Sequence, residues 1–140
     1  MIEIQAGISP GMALEIVPAP FQDSLTPMSA LAVYNFGRLG PAWAAKRDGK
    51  VVALAGHMPQ WDGRTIAWAN LGAHCGPALT AMVRHFHREV AALAYDRVEA
   101  YVACNHEAGH KFIKMLGFRR EGTMRKFAHG SDYTLYAKVR

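Results

Sequence analysis

Apolar and polar positions change period several times along the chain, and each change marks an element. Between Asn105 and Gly122, Ala108, Phe112, Ile113, Met115 and Leu116 recur at helical spacing. Asn105 takes the N-cap position there, Gly117 stands where a left-handed C-terminal cap is needed, and Phe118 anchors the strand that follows. Upstream, Met1 to Pro20 alternates apolar with small residues, and Met12–Val17 is the best first strand before Pro18 and Pro20 break it. Thr26 and Pro27 open a helix whose face is Met28, Leu31, Ala32 and Phe36, closed by Gly37 and Gly40.

The middle of the chain switches to strand periodicity. Trp43–Arg47 and Lys50–Gly56 flank an Asp48-Gly49 pair, the strongest short-range hairpin signal, because both turn positions must accept positive φ. Pro59–Arg64 makes a second connection carrying Trp61 and Gly63, and Thr65–Leu71 completes an antiparallel meander as the fourth strand. A loop of small residues, Gly72–Ala78, then runs into a helix with Pro77 in its first turn. Leu79, Met82, Val83, Phe86, Val90 and Leu93 form its buried stripe, with Arg84, His85, Arg88 and Glu89 on the other side. Val98–Cys104 is the next strand, and its arrival after a helix implies a parallel crossover beside the fourth strand. After the helix at 105–117, Thr123–Ala128 and Asp132–Arg140 close the chain as a hairpin around His129–Ser131.

At 140 residues with 51% hydrophobic composition, the chain is expected to form a single domain, 1-140, around one core. Its net charge of +5 favours an anionic ligand over a cationic one. Cys75 and Cys104 lie far apart and no signal-peptide pattern precedes them, which points to a reducing, cytoplasmic setting. Every apolar run is interrupted by His, Arg or Gly well short of the ~20 residues that a membrane span needs, so no membrane partner is expected. Lys111, Lys114, Arg119, Arg120, Arg125 and Lys126 cluster late in the chain, but aromatic residues are not interleaved among them as in a single-strand binder, so nucleic acid is not the favoured partner. His74-Cys75 and Cys104, His106 and His110 raise a metal reading, which the absence of any Cys-x-x-Cys pair disfavours.

A helix opened by Asn105, with Ala108 three residues on and a closing Leu116-Gly-Phe-Arg-Arg-Glu-Gly122, resembles the C-terminal helix and strand of the GCN5-related N-acetyltransferases (GNAT). The element order agrees with that layout over nearly the whole chain. The resemblance implies an α+β fold, with a central mixed and mostly antiparallel sheet of about seven strands and helices on both faces. It also implies a splay between the fourth and fifth strands, in which acetyl-CoA lies as a co-substrate and pairs with exposed main-chain groups. Ala69, Asn70 and Leu71 would meet the pantetheine arm, and His74, Cys75, Gly76, Pro77 and Ala78 the pyrophosphate at the start of the long helix. Within that loop Gly76 and Ala78 match the small positions, while Ala73 stands where a basic or amide residue is usual and Pro77 has no donor N–H.

The implied reaction is transfer of an acetyl group by direct attack of a small-molecule or protein amine. The position where the resemblance places a proton-donating tyrosine holds Ile113, or Phe112 with a one-residue shift. Proton chemistry must then come from elsewhere: His57 and His74 as bases at strand ends, Tyr101 on the neighbouring strand, and Glu99 as a weaker option. Asn105 serves either as helix cap or as a partner of the cofactor arm. Trp61 and Trp68 line either a substrate pocket or the core. Short members with weak cofactor loops resemble those encoded by bacteriophages, which gives the alternative of a virion-associated or DNA-modifying protein that does not acetylate. The terminal hairpin offers a free edge for a homodimer.

Overall fold

In a computed structural model, the structure describes residues 1–9, 11–16, 35, 37–93 and 95–140, the side chain of Ala13 aside. The expected helix from Thr26 to Phe36 lies, Asn35 aside, outside the described residues. Seven strands form one sheet: β1 Ile2–Ala6, β2 Ala42–Arg47, β3 Lys50–Trp61, β4 Arg64–Leu71, β5 Arg97–Ala103, β6 Arg119–Ala128 and β7 Ser131–Val139. Their spatial order is β1-β2-β3-β4-β5-β7-β6. All neighbours are antiparallel except β4 and β5. Three α-helices that accompany the sheet fall wholly within the described residues: α1 Met12–Glu15, α2 Leu79–Ala92 and α3 Glu107–Met115. No helix among the described residues is long and apolar enough to cross a membrane.

The hairpins follow local turn chemistry. Asp48 and Gly49 hold φ of 52° and 82° and join Arg47 to Lys50 as a tight two-residue turn. His129 and Gly130 repeat this with φ of 51° and 72° between Ala128 and Ser131. The second connection is much shorter than expected. β3 continues through Pro59 to Trp61 and turns at Asp62-Gly63, with Trp61 paired to Arg64 and the Arg64 guanidinium 4.5 Å above the Trp61 ring. Pro59 is tolerated because it sits at a register shift, beyond the point where β2 stops pairing at Ala42↔Gly56, so no ladder bond is lost.

Met12–Glu15 is a helical turn and the first strand is Ile2–Ala6, which corrects the expected strand at Met12–Val17. Apolar residues at 12, 14 and 16 satisfy either period. Met12 and Ile16 are buried whereas Leu14 is 58% exposed, which is the helical i, i+4 outcome. Met12 and Ile16 pack with Ala44, Val51 and Leu54 on one face of the sheet. The larger core lies on the other face, where α2 brings Met82 and Phe86, α3 and its C-cap bring Ile113 and Leu116, and Phe118 and Tyr136 close the layer. Both crossovers, β4 to β5 and β5 to β6, therefore carry their helices on the same side. His85 departs from its expected outward position: its ring meets the edge of Trp43 at 4.7 Å.

The C-terminal helix begins one residue later than expected. His106 N–H bonds the Ala103 carbonyl at 2.9 Å, closing a turn that makes His106, not Asn105, the N-cap, and leaves Asn105 exposed. Its buried positions are Gly109 and Ile113, while Ala108 and Met115 face outward. At the other end Gly117, φ 89°, donates to Lys114 O at 3.0 Å and Phe118 to Ile113 O at 3.3 Å. This pair of bonds is the Schellman cap, and its customary apolar contact is Phe118 with Ile113 in the core.

Candidate functional site

β4 and β5 pair over three positions, Arg64↔Arg97, Thr65↔Val98 and Ile66↔Glu99, and then part. The alternation of an antiparallel ladder tells which main-chain groups this leaves open. Gly72 N–H bonds Val52 O at 3.0 Å, so counting back along β4 gives Asn70 and Trp68 to β3 and turns Ala67, Ala69 and Leu71 toward the gap. Cys104 N–H bonds Asp132 O at 3.0 Å, and the same count on β5 turns Tyr101 and Ala103 toward it from the other side, the Ala103 carbonyl being already taken by His106 N–H. Two rows of amide donors and acceptors therefore face one another across a cleft of about 320 Å³.

Side chains divide the cleft into two walls. Met82 and Phe86 from α2 and Phe112 and Ile113 from α3 make an apolar wall on the helix side. Trp68, Tyr101 and Tyr133 line it as well, and register places them on the opposite face of the sheet. Phe127 extends that aromatic face, 5.0 Å from Tyr101 and 5.5 Å from Tyr133 between ring centroids. At the apex, the buried Glu99 carboxylate accepts from Arg64 and ion-pairs with Arg97 at 3.3 Å, and Arg97 reaches on to Glu121. The Arg64 hydrogen bond holds Glu99 below the usual carboxylate range against the opposing effect of burial. Burial and the neighbouring Glu99 charge push the Tyr101 phenol up, so it stays protonated near neutral pH.

The sequence-predicted residues separate sharply. Ala69, Leu71 and Tyr101 line the cleft. Asn70 is buried and turns its main chain to β3, and its Nδ2 has no hydrogen-bond partner among the described residues. His57 lies inside β3 rather than at its end, wholly buried, with Nδ1 2.9 Å from Thr65 Oγ1, and it is not part of the cleft wall. His74 is exposed and borders a different pocket, beside Arg47, Lys50 and Glu15. Cys75 is buried in the main core, and that burial pushes its thiol up. Of the remaining histidines of the metal reading, His110 spends both ring nitrogens: Nε2–H donates to Cys104 O at 3.0 Å and Nδ1 accepts from the Tyr136 hydroxyl at 2.7 Å.

The cleft also contains His106, a residue the sequence reading did not connect with it. One signal was available. Gly109 interrupts a short helix at a cost of ~1 kcal/mol relative to alanine, and such a glycine usually marks a close approach.

Solved structures of similar shape cover the chain from end to end. Ard1 from Thermoplasma volcanium superposes with a TM-score of 0.78 at 12% identity, covering 99% of this chain and 97% of its own. An IAA acetyltransferase from Bacillus cereus ATCC 14579 gives 0.75 at 12% identity with 100% of both chains covered. An acetyltransferase of the GNAT family from Streptococcus pneumoniae gives 0.69 at 16% identity with 99% of both. The chain has the GNAT fold. No family model and no curated protein matches the sequence.

With the GNAT fold in place, the loop before α2 can be judged on its donors. Gly76–Ala78 forms a 3-10 turn that leads straight into the helix at Leu79. Cys75 N–H donates to Gly72 O, Ala78 N–H to Cys75 O and Leu79 N–H to Gly76 O, while Pro77 has none to give. Cys75, Ala78 and Leu79 thus use their N–H groups within the turn.

Proposed function

We propose that this chain is an acetyl-CoA-dependent N-acetyltransferase that passes an acetyl group to an amine by direct attack in a ternary complex. The observation that carries this reading is the pair of open main-chain edges, Ala67, Ala69 and Leu71 against Tyr101 and the Ala103 N–H. An extended arm bearing amides would satisfy both rows, as an added strand satisfies a sheet edge. A phosphate would meet only the donors of each row and a metal ion only the acceptors, whereas an amide arm meets both. The apolar wall from α2 and α3 suits the methylene segments between those amides.

In that arrangement an edge N–H next to the thioester carbonyl would stabilise the oxyanion that forms as the amine adds. Tyr101 is the one of the three proposed catalytic side chains that borders the cleft; with its phenol held protonated, it is suited to donate rather than to accept a proton. The aromatic face of Trp68, Tyr101 and Tyr133 is where the acceptor amine would enter. With the Cys75, Ala78 and Leu79 N–H groups used within their turn, the arm rather than the pyrophosphate would supply most of the affinity.

Calorimetric titration with CoA and acetyl-CoA tests the reading. Saturable heat for both is expected, and no detectable heat at millimolar ligand would remove it. Binding without acetyl transfer to any of a panel of amines would instead favour the non-acetylating alternative.

A further inference from the structure

The proposed transfer needs a group that moves a proton from the attacking nitrogen to the departing sulfur, and the position implied for a tyrosine holds a buried isoleucine, Ile113. We infer that His106, the N-cap of α3, is that group, and that Gly109 one turn along is the residue that positions it. This inference rests on the acetyl-CoA reading of the cleft.

Three observations support it. Among the described residues that line the cleft, His106 is the one imidazole. Its ring lies back over the first turn of α3, so close that a Cβ on residue 109 would stand 2.9 Å from His106 Nε2 and 2.9 Å from Val102 Cγ1, with His106 Cδ2 closer still. Only a residue without a side chain leaves the ring in this place. Burial, and secondarily the His110 charge, lower the His106 pKa, so the ring is a neutral acceptor at physiological pH. The other titratable groups described on the cleft wall are Tyr101 from β5 and Tyr133 from β7, and α2 contributes apolar residues to it.

The step balances without any further reactant. The amine lone pair forms the C–N bond and the C–S bond breaks with its electron pair on sulfur. Nitrogen sheds one proton to the imidazole, and the imidazolium returns it to the thiolate, so His106 ends as it began.

The test reads the thiol of bound CoA and needs no knowledge of the acceptor. His106→Asn keeps a strong N-cap residue, so α3 is preserved. Wild type and variant are saturated with CoA, and thiolate ultraviolet absorbance is followed against pH. The ring is neutral at the pH where a thiol ionises, and its N–H donates to the thiolate and stabilises it, so the expected result is a thiol that titrates about one pH unit higher in the variant, with CoA affinity little changed. Gly109→Ala should raise it likewise by displacing the ring while leaving the histidine present. Failure of the wild type to bind CoA removes the cleft reading and this assignment together. Normal CoA binding with the same thiol titration in wild type and His106→Asn overturns the assignment alone.

Discussion

At His57 the imidazole sits among apolar neighbours, with Tyr95 edge-on at 5.5 Å, Thr65 as partner of Nδ1, and no partner for Nε2 among the described residues. Protonation would place an unpaired N–H⁺ in that environment, so burial lowers its pKa, with only Glu89 opposing. His85, His87 and His106 shift the same way, each chiefly through burial. The sign follows from proton binding. Between the lowered folded pKa and the unfolded value near 6.5, the unfolded chain binds more protons, so stability is full above that value and is lost as pH falls through the window below it. Urea unfolding at pH 7.5, 6.5 and 5.5 should show this decline. His57→Leu should make the decline shallower without abolishing it, while lowering stability at pH 7.5 by about 1 kcal/mol because Thr65 loses its partner. An unchanged pH slope in His57→Leu would show that His57 titrates normally. The sequence offered His57 as a strand-end base because Pro59 reads as a breaker; the breaker fails where the ladder on that edge has already ended, and the histidine is drawn into the core.

Among the elements, α3 shows which features a sequence discloses. Its stop was legible because a Schellman cap needs a specific backbone conformation, and glycine at 117 supplies it with a hydrophobic residue beside it. The hairpins at 48–49 and 129–130 were legible for the same reason. Its start was less so, since Asn105 and His106 differ by one residue and the choice fell to a turn closed on Ala103. Met12–Val17 misled because alternate apolar residues fit both periods, and burial of Met12 and Ile16 decided it. Gly117→Ala tests the cap directly. At φ 89° a Cβ is strained whatever the space around it, so a loss of roughly 1–2 kcal/mol in denaturant unfolding is expected. Lys138 Nζ, 3.2 Å from the added carbon, is the end of a flexible side chain and can move aside. A variant as stable as wild type would mean that the left-handed conformation is not required there.

Across the whole molecule, a half-sheet of β1–β4 and another of β5–β7–β6 meet through three residue pairs. Strand lengths do not foretell this: β4 has 8 residues and β5 has 7, enough to pair throughout. The sequence announced the splay only through its resemblance to a known layout. What did stand in the sequence was charge on an otherwise apolar strand, Arg97 and Glu99 beside Val98 and Ala100, and these residues with Arg64 form the clamp at the apex. Glu99→Gln tests what the clamp does. The amide keeps the shape but leaves Arg64 and Arg97 without their shared anion; both guanidiniums retain some solvent, so the cost should be ~1–3 kcal/mol rather than that of a fully buried pair. If the clamp also sets the separation of the two edges, CoA affinity should fall with it, since an arm that pairs with both rows needs them at a fixed spacing. Thermal unfolding with and without CoA separates the two effects. In wild type, ligand at a hundred times Kd should add about 2.7 kcal/mol. Glu99→Gln should start lower and gain less at the same ligand concentration. An equal gain would show that the clamp holds the half-sheets together without fixing the cleft between them.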